Sequence, residues 1–201
     1  INKQVSAGMT GTSIDSASSA SGAGADLAIT ADNASEIDSY AVVLAGSTTG
    51  AVGIGLGVNR IVQDTDAFID GGTQNVADAE VRAVGQPKIT ATGVGGAASG
   101  TASLSGSVGI NMVANNVSAA VRNAEMYSTG NVGVVAQSDE QIENYAGTIS
   151  GSGAMAFGAT VAVNTISGNT AASVENSSIT AEGNSEDAVK AESGMDDDAL
   201  I

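Results

Sequence analysis

An all-β solenoid, with strands stacked coil upon coil, is the fold class this sequence predicts, and three observations carry the prediction. The chain repeats itself at a spacing near 52 residues, its apolar residues alternate with small ones at period two, and its composition can fill only a thin core. Repeats of this length belong to solenoids and propellers, in which each unit buries its apolar face against the next.

The repeat is clearest around three asparagines. Gly57-Val58-Asn59-Arg60-Ile61, Gly109-Ile110-Asn111-Met112-Val113 and Ala162-Val163-Asn164-Thr165-Ile166 align, with the asparagines 52 and then 53 residues apart and an alanine eight residues after each. A second signature recurs at twice the spacing: the segment from Ala31 to Ala41 matches that from Ala136 to Ala146 at an offset of 105, with Ile37, Ile89 and Ile142 in one column. Ser13-Ile14-Asp15 resembles Ser173-Val174-Glu175, which extends the array toward the first residues. The expected organisation is a single array over residues 1–195, nearly four units cut at both ends, followed by an acidic frayed end at 196–201.

Within each unit the strand signal is alternation. Val52, Ile54, Leu56 and Val58 alternate with Gly53, Gly55, Gly57 and Asn59; Leu104, Val108 and Ile110 with Ser105, Ser107 and Gly109; Met155, Phe157, Val161 and Val163 with Ala156, Gly158, Thr160 and Ala162. Period two means strand, and Gly with β-branched residues disfavours helix. The apolar members, Val58, Ile110 and Val163 among them, are expected to point inward. The small members are expected to form a face covered by another sheet of the chain or by a neighbouring copy, because small residues permit close backbone approach. Shorter runs, Val174 to Ile179 and Ala188 to Ala191, are separated by Asn, Ser, Gly and Asp of turn type. Read this way, a unit offers about five short strands and hence about two coils, at ~20–25 residues per three-strand coil.

Composition narrows both fold and chemistry. Two Phe, three Tyr and no Trp cannot fill a wide interior or the blades of a propeller, whereas 42% hydrophobic residues argue against a disordered chain despite a net charge of −16. Six Lys plus Arg leave no electrostatic footprint for nucleic acid or anionic lipid. The weakly polar run Ala41 to Val58, interrupted by Ser47, Thr48, Thr49 and glycines, is too broken for a spanning helix, so no membrane insertion is expected. No charged and apolar leader precedes the first repeat.

The absence of His and Cys removes the usual hydrolase triads, histidine bases and zinc or thiolate sites. No catalytic, cofactor-binding or metal-binding residue is assigned, and no cofactor is expected. Asp64, Asp66 and Asp70 are the best candidates for carboxylate chemistry on an acidic polysaccharide, with solvated turn residues the plainer reading because later repeats do not keep them. Asp196-Asp197-Asp198 reads as an exposed end rather than a calcium site, and no Gly-Gly-x-Gly-x-Asp repeat occurs. The glycines at 53, 55 and 57 and from Gly93 to Gly96 lack the Lys-Ser or Lys-Thr of a phosphate loop. Thr90 and Thr92 are too few for an ice-binding ladder. Asn59, Asn111 and Asn164 are expected to satisfy backbone groups at a strand end. Tyr40 and Tyr145 are equivalent by the repeat, each a half-buried ring on a coil surface.

These segments together resemble the repeat arrays of large bacterial exoproteins of the filamentous haemagglutinin and leukotoxin type, exported by two-partner secretion or as autotransporters. The likeness lies in the small-residue strand ending in Val163-Asn164-Thr165-Ile166, the stretch from Ala172 to Ala181, and Ala188-Val189-Lys190-Ala191-Glu192-Ser193, and it extends from about Ser13 to Ser193. The resemblance implies a right-handed parallel β-helix, passage through an outer membrane as an unfolded chain, and a role in adhesion or toxicity; it brings no catalytic residues. The expected protein is therefore a non-catalytic display segment of an extracellular or surface-attached adhesin. A host or neighbouring-cell surface is the expected partner, and lateral self-association through the small-residue faces is possible. The rival readings are a toxin repeat, a self-assembling filament subunit and a polysaccharide-active enzyme.

Overall fold

The computed structural model describes residues 1–16 and 24–183. Ala188 to Ala191 and Asp196 to Asp198 lie outside the described residues. The described chain is strand and turn without helix, arranged as three parallel sheets. The front sheet stacks β1 (Asn2–Thr10), β4 (Gly50–Asp70), β7 (Ala102–Arg122) and β11 (Met155–Glu175) in that order. The back sheet holds β3 (Leu27–Ser47) and β6 (Ala79–Ser99), with β9 (Val132–Ser138) and β10 (Gln141–Ser152) both pairing with β6. A narrow side sheet holds β2 (Ile14–Asp15), β5 (Thr73–Val76), β8 (Glu125–Ser128) and β12 (Ser178–Ala181). The chain therefore passes front, side, back and front again, which is the path of a β-solenoid.

The pairing register sets the size of a coil. Gly50 pairs with Ala102 and Ala102 with Met155, while Ala79 pairs with Leu27 on one side and Val132 on the other. One sequence unit thus makes one coil, where two were expected. Asn115, Asn116, Gly168 and Asn169, although of residue types common in turns, lie inside 21-residue strands. The column Ile37, Ile89, Ile142 is a true register column. Ser13-Ile14-Asp15 corresponds to a different segment from the one expected: Ile14 pairs with Gln74 in the side sheet, so its counterpart is Ile179, and β1 meets β4 at a spacing of 60, Asn2 to Val62.

The corner between front and side sheets needs a left-handed residue. Gly11, Gly71, Asn123 and Asn176 occupy it with φ of 60°, 81°, 51° and 48°, and Gly and Asn are the residues that tolerate this region. The corners bond to one another: Gly11 N–H donates to Asp70 O, Gly71 N–H to Arg122 O and Asn123 N–H to Glu175 O at 2.8–3.0 Å. On the back sheet, the gap between β9 and β10 falls opposite Pro87, which has no N–H to give to the ladder.

The interior is a wedge that narrows away from the side sheet. Beside β5 and β8 it holds branched side chains, with Ile29, Ile69, Val76, Val81, Val117, Val121 and Met126 buried together. Further in, Gln63 Nε2 donates to Asn33 Oδ1 at 3.1 Å across the two long sheets. A second aliphatic layer follows, of Ile61, Ile89, Ala91 and Val113. Beyond it Asn59, Asn111 and Asn164 stack in register. In the last segment, toward the tight turns at 47–50, 99–102 and 152–155, the inward positions of β4 and β7 are only glycine, alanine and serine: Ala51, Gly53, Gly55 and Gly57, and Ser103, Ser105, Ser107 and Gly109.

That last segment reverses the expected orientation of the glycine strands. Val58, Ile110 and Val163 point outward with the rest of their apolar rows; Leu56 and Val58 are each 68% exposed. Ala51, Ser103, Ser105 and Ser107 are buried. The reason is steric: a Cβ built on Gly53 would run into the carbonyl of Gly96, and one on Gly95 into that of Gly106, so at these points front and back sheets are too close for any side chain. The small-residue rows of β4 and β7 face the opposite sheet of the same chain, while the corresponding row of β11 is exposed.

Candidate functional site

Asp64, Asp66 and Asp70 alternate on the outer face of β4, two and then four residues apart, each half-buried. Their surroundings are structural. Asn116 Nδ2 donates to Asp64 Oδ1 at 2.8 Å and Asn123 Nδ2 donates to Asp70 Oδ1 at 2.9 Å, so these two carboxylates are each held by an amide from the next coil. A depression of about 410 Å³ lined by Thr10, Asp66, Phe68, Asp70, Ser118 and Arg122 lies beside them. Among the described residues no three His, Cys, Asp or Glu side chains converge as they would around a metal ion.

A second depression, about 460 Å³, lies where β9 gives way to β10 and is lined by Glu36, Gln86, Pro87, Lys88, Asp139 and Gln141 among others. Lys88 Nζ and Glu36 Oε1 stand 3.6 Å apart across its floor, an exposed pair that contributes little to stability. Behind it Asn115 Nδ2 donates to Ser138 Oγ at 2.7 Å and to Glu140 Oε1 at 3.2 Å, tying the strand gap to the interior.

The asparagines form an inward-facing ladder, buried at Asn59 and Asn111 and exposed at Asn164, rather than a strand-end cap. Asn59 Nδ2 donates to Asn111 Oδ1 at 2.8 Å and Asn111 Nδ2 to Asn164 Oδ1 at 2.9 Å, coil to coil, while Asn59 also donates to Ser39 Oγ at 2.8 Å on the back sheet. Asn111 in the middle both gives and accepts, and Asn164 Oδ1 accepts a second bond from Asn144 Nδ2 at 3.1 Å, so the row is polar but internally bonded. Tyr40 and Tyr145 flank Thr92 in register, as the repeat implied, but both rings are exposed rather than half-buried, at 75% and 61%. Tyr127, on the side sheet, hydrogen-bonds Glu182, and that bond with the nearby negative charge holds its hydroxyl above its ordinary pKa.

The feature that sequence reasoning missed is the outer surface at the narrow end of the wedge. In register across β4, β7 and β11 run the outward rows Val52, Leu104, Phe157; Ile54, Gly106, Ala159; Leu56, Val108, Val161; and Val58, Ile110, Val163. The back sheet adds Tyr40, Val42 and Leu44, all exposed. The signal that would have found it was present: Ile61 and Ile69 share parity with Gly53 and Gly55, and a single long strand cannot bury both parities. Compared with protein-family models, with curated proteins and with solved structures, the chain matches none. No helix of the described residues is long and apolar enough to cross a membrane.

Proposed function

We propose that this chain is a non-catalytic display segment of a secreted or surface-attached bacterial exoprotein of adhesin type, wound as a right-handed parallel β-helix. Right-handed crossovers prevail in ~98% of parallel connections within a sheet, which supports that hand. The observation that carries the functional reading is the breadth of each coil. A coil uses 52 or 53 residues, yet adds only ~4.8 Å to the stack, whereas each 21-residue strand lays down ~70 Å of surface on either side. Such a coil is poor at spanning distance and good at presenting area, which favours a display surface over a stalk. The exposed Tyr40 and Tyr145 are surface of the kind a cell-surface receptor or glycan meets.

The test is adherence. Beads coated with the purified chain should bind host or bacterial cells above uncoated beads, and soluble chain should compete. Adherence equal to that of uncoated beads on every surface tried overturns the display reading. Release of reducing ends from polygalacturonate, abolished by Asp66→Asn, replaces it with the polysaccharide-active reading.

A further inference from the structure

We propose that the outer face of the front sheet is a self-association surface whose occupant is the same face of a second copy of this chain. Three observations carry this. The first is exposure: the inner face meets the back sheet, while the outer face leaves branched and aromatic side chains in water as one contiguous patch.

The second is charge. The chain carries −16, so copies repel wherever their acids meet. Yet no charged residue occurs between Asp38 and Arg60, between Lys88 and Arg122 or between Glu143 and Glu175. As a result β7 and β11 carry charge only at their final residues. On the back sheet Glu36, Lys88 and Glu143 interrupt the strands β3, β6 and β10. On the front face, charge is confined to Arg60, Asp64, Asp66 and Asp70 of β4 and to the final residues of β7 and β11, so those two strands with the first part of β4 form the broad surface on which two acidic copies can approach. An antiparallel two-fold arrangement keeps Asp64, Asp66 and Asp70 of one copy at the far end from those of the other.

The third is area and relief. At ~3.3 Å per residue and ~4.8 Å per strand, β7, β11 and the Val52–Val58 stretch of β4 offer roughly 780 Å², close to the ~800 Å² per partner of a standard interface. The surface is also ridged. The rows of Val52, Leu104, Phe157 and of Leu56, Val108, Val161 stand on either side of a furrow floored by Gly106 and Ala159, into which a ridge of the second copy fits.

The experiment is sedimentation equilibrium of the intact chain over a range of concentrations at low and high NaCl. The expected result is a reversible dimer that tightens with salt, since screening removes the acidic repulsion and leaves apolar contact. Val108→Glu with Val161→Glu, both outward, should weaken it at least about tenfold while circular dichroism and the urea midpoint stay near those of the parent. The chain has no cysteine, so Val108→Cys carries a unique thiol and should cross-link into a dimer with a short bismaleimide, whereas Thr92→Cys on the back sheet should not. This pair decides the matter even if the glutamate variant fails to fold. A monomer at every concentration and salt overturns the proposal. So does cross-linking from Thr92→Cys as efficient as from Val108→Cys, or flotation with phosphatidylcholine vesicles by a chain that stays monomeric in buffer.

Discussion

Ile61, Val113 and Ile166 stack on the inner face of the front sheet, while Val58, Ile110 and Val163, three residues earlier, stack on the outer one. An odd offset in a strand is a change of face, and the energetic difference is large. Ile61 and Val113 are 0% and 1% exposed, so an aspartate at Val113 would be a buried charge with no partner. Val113→Asp should cost about 4 kcal/mol or more, against under about 1 kcal/mol for Val58→Asp, read as urea midpoints at concentrations where the chain is monomeric. Equal losses would mean that the front sheet is registered the other way. The alternation of residues was readable from the chain alone. Which half of it is buried was not, because hydrophobicity ranks Val58 above Gly57 and the closeness of the opposite backbone is invisible in one strand.

At the scale of elements, the length of a strand is set by what interrupts it. Gly71, Asn123 and Asn176 end the front strands because the corner needs positive φ. Asn115, Asn116 and Gly168 do not end them, because their φ is ordinary and their side-chain or backbone groups find partners across the sheet. Composition alone therefore counted too many turns and divided each 52-residue unit into two coils. Glycines likewise differ by their neighbours. Gly95 faces the Gly106 backbone, whereas a Cβ at Gly147 meets nothing within 4 Å. Gly95→Ala should destabilise by about 1–3 kcal/mol, and Gly147→Ala should be neutral or stabilise by up to about 1 kcal/mol through the unfolded chain. Thermal melts of the two variants separate these outcomes, and a costless Gly95→Ala would show that the two sheets stand further apart.

For the molecule as a whole, charge is the opposing force. Against 22 acidic residues stand six basic ones, and among the described residues only Lys88–Glu36 and Arg122–Glu175 come within 4.0 Å. Repulsion among exposed carboxylates is screened once the Debye length falls to ~8 Å near physiological salt. Raising NaCl from very low to moderate concentration should therefore raise the midpoint of thermal unfolding, by ~2–4 °C for each kcal/mol of relief. A midpoint that falls with salt would mean that ion pairs contribute more than repulsion removes.

The sequence by itself determined the class of fold, the 52-residue unit, the register columns of Asn59, Asn111 and Asn164 and of Ile37, Ile89 and Ile142, and the lack of histidine and thiol chemistry. These are properties of residue identity and spacing, which a repeat carries openly along the chain. Tertiary structure alone decided that one unit makes one coil, that the asparagines bond to one another inside the wedge, and that the apolar rows lie outside it. All three depend on how close the front sheet comes to the back sheet near the tight turns. That distance is a relation between different strands, Gly53 with Gly96 and Gly95 with Gly106, and there the carbonyls of Gly96 and Gly106 exclude any side chain larger than the ones present.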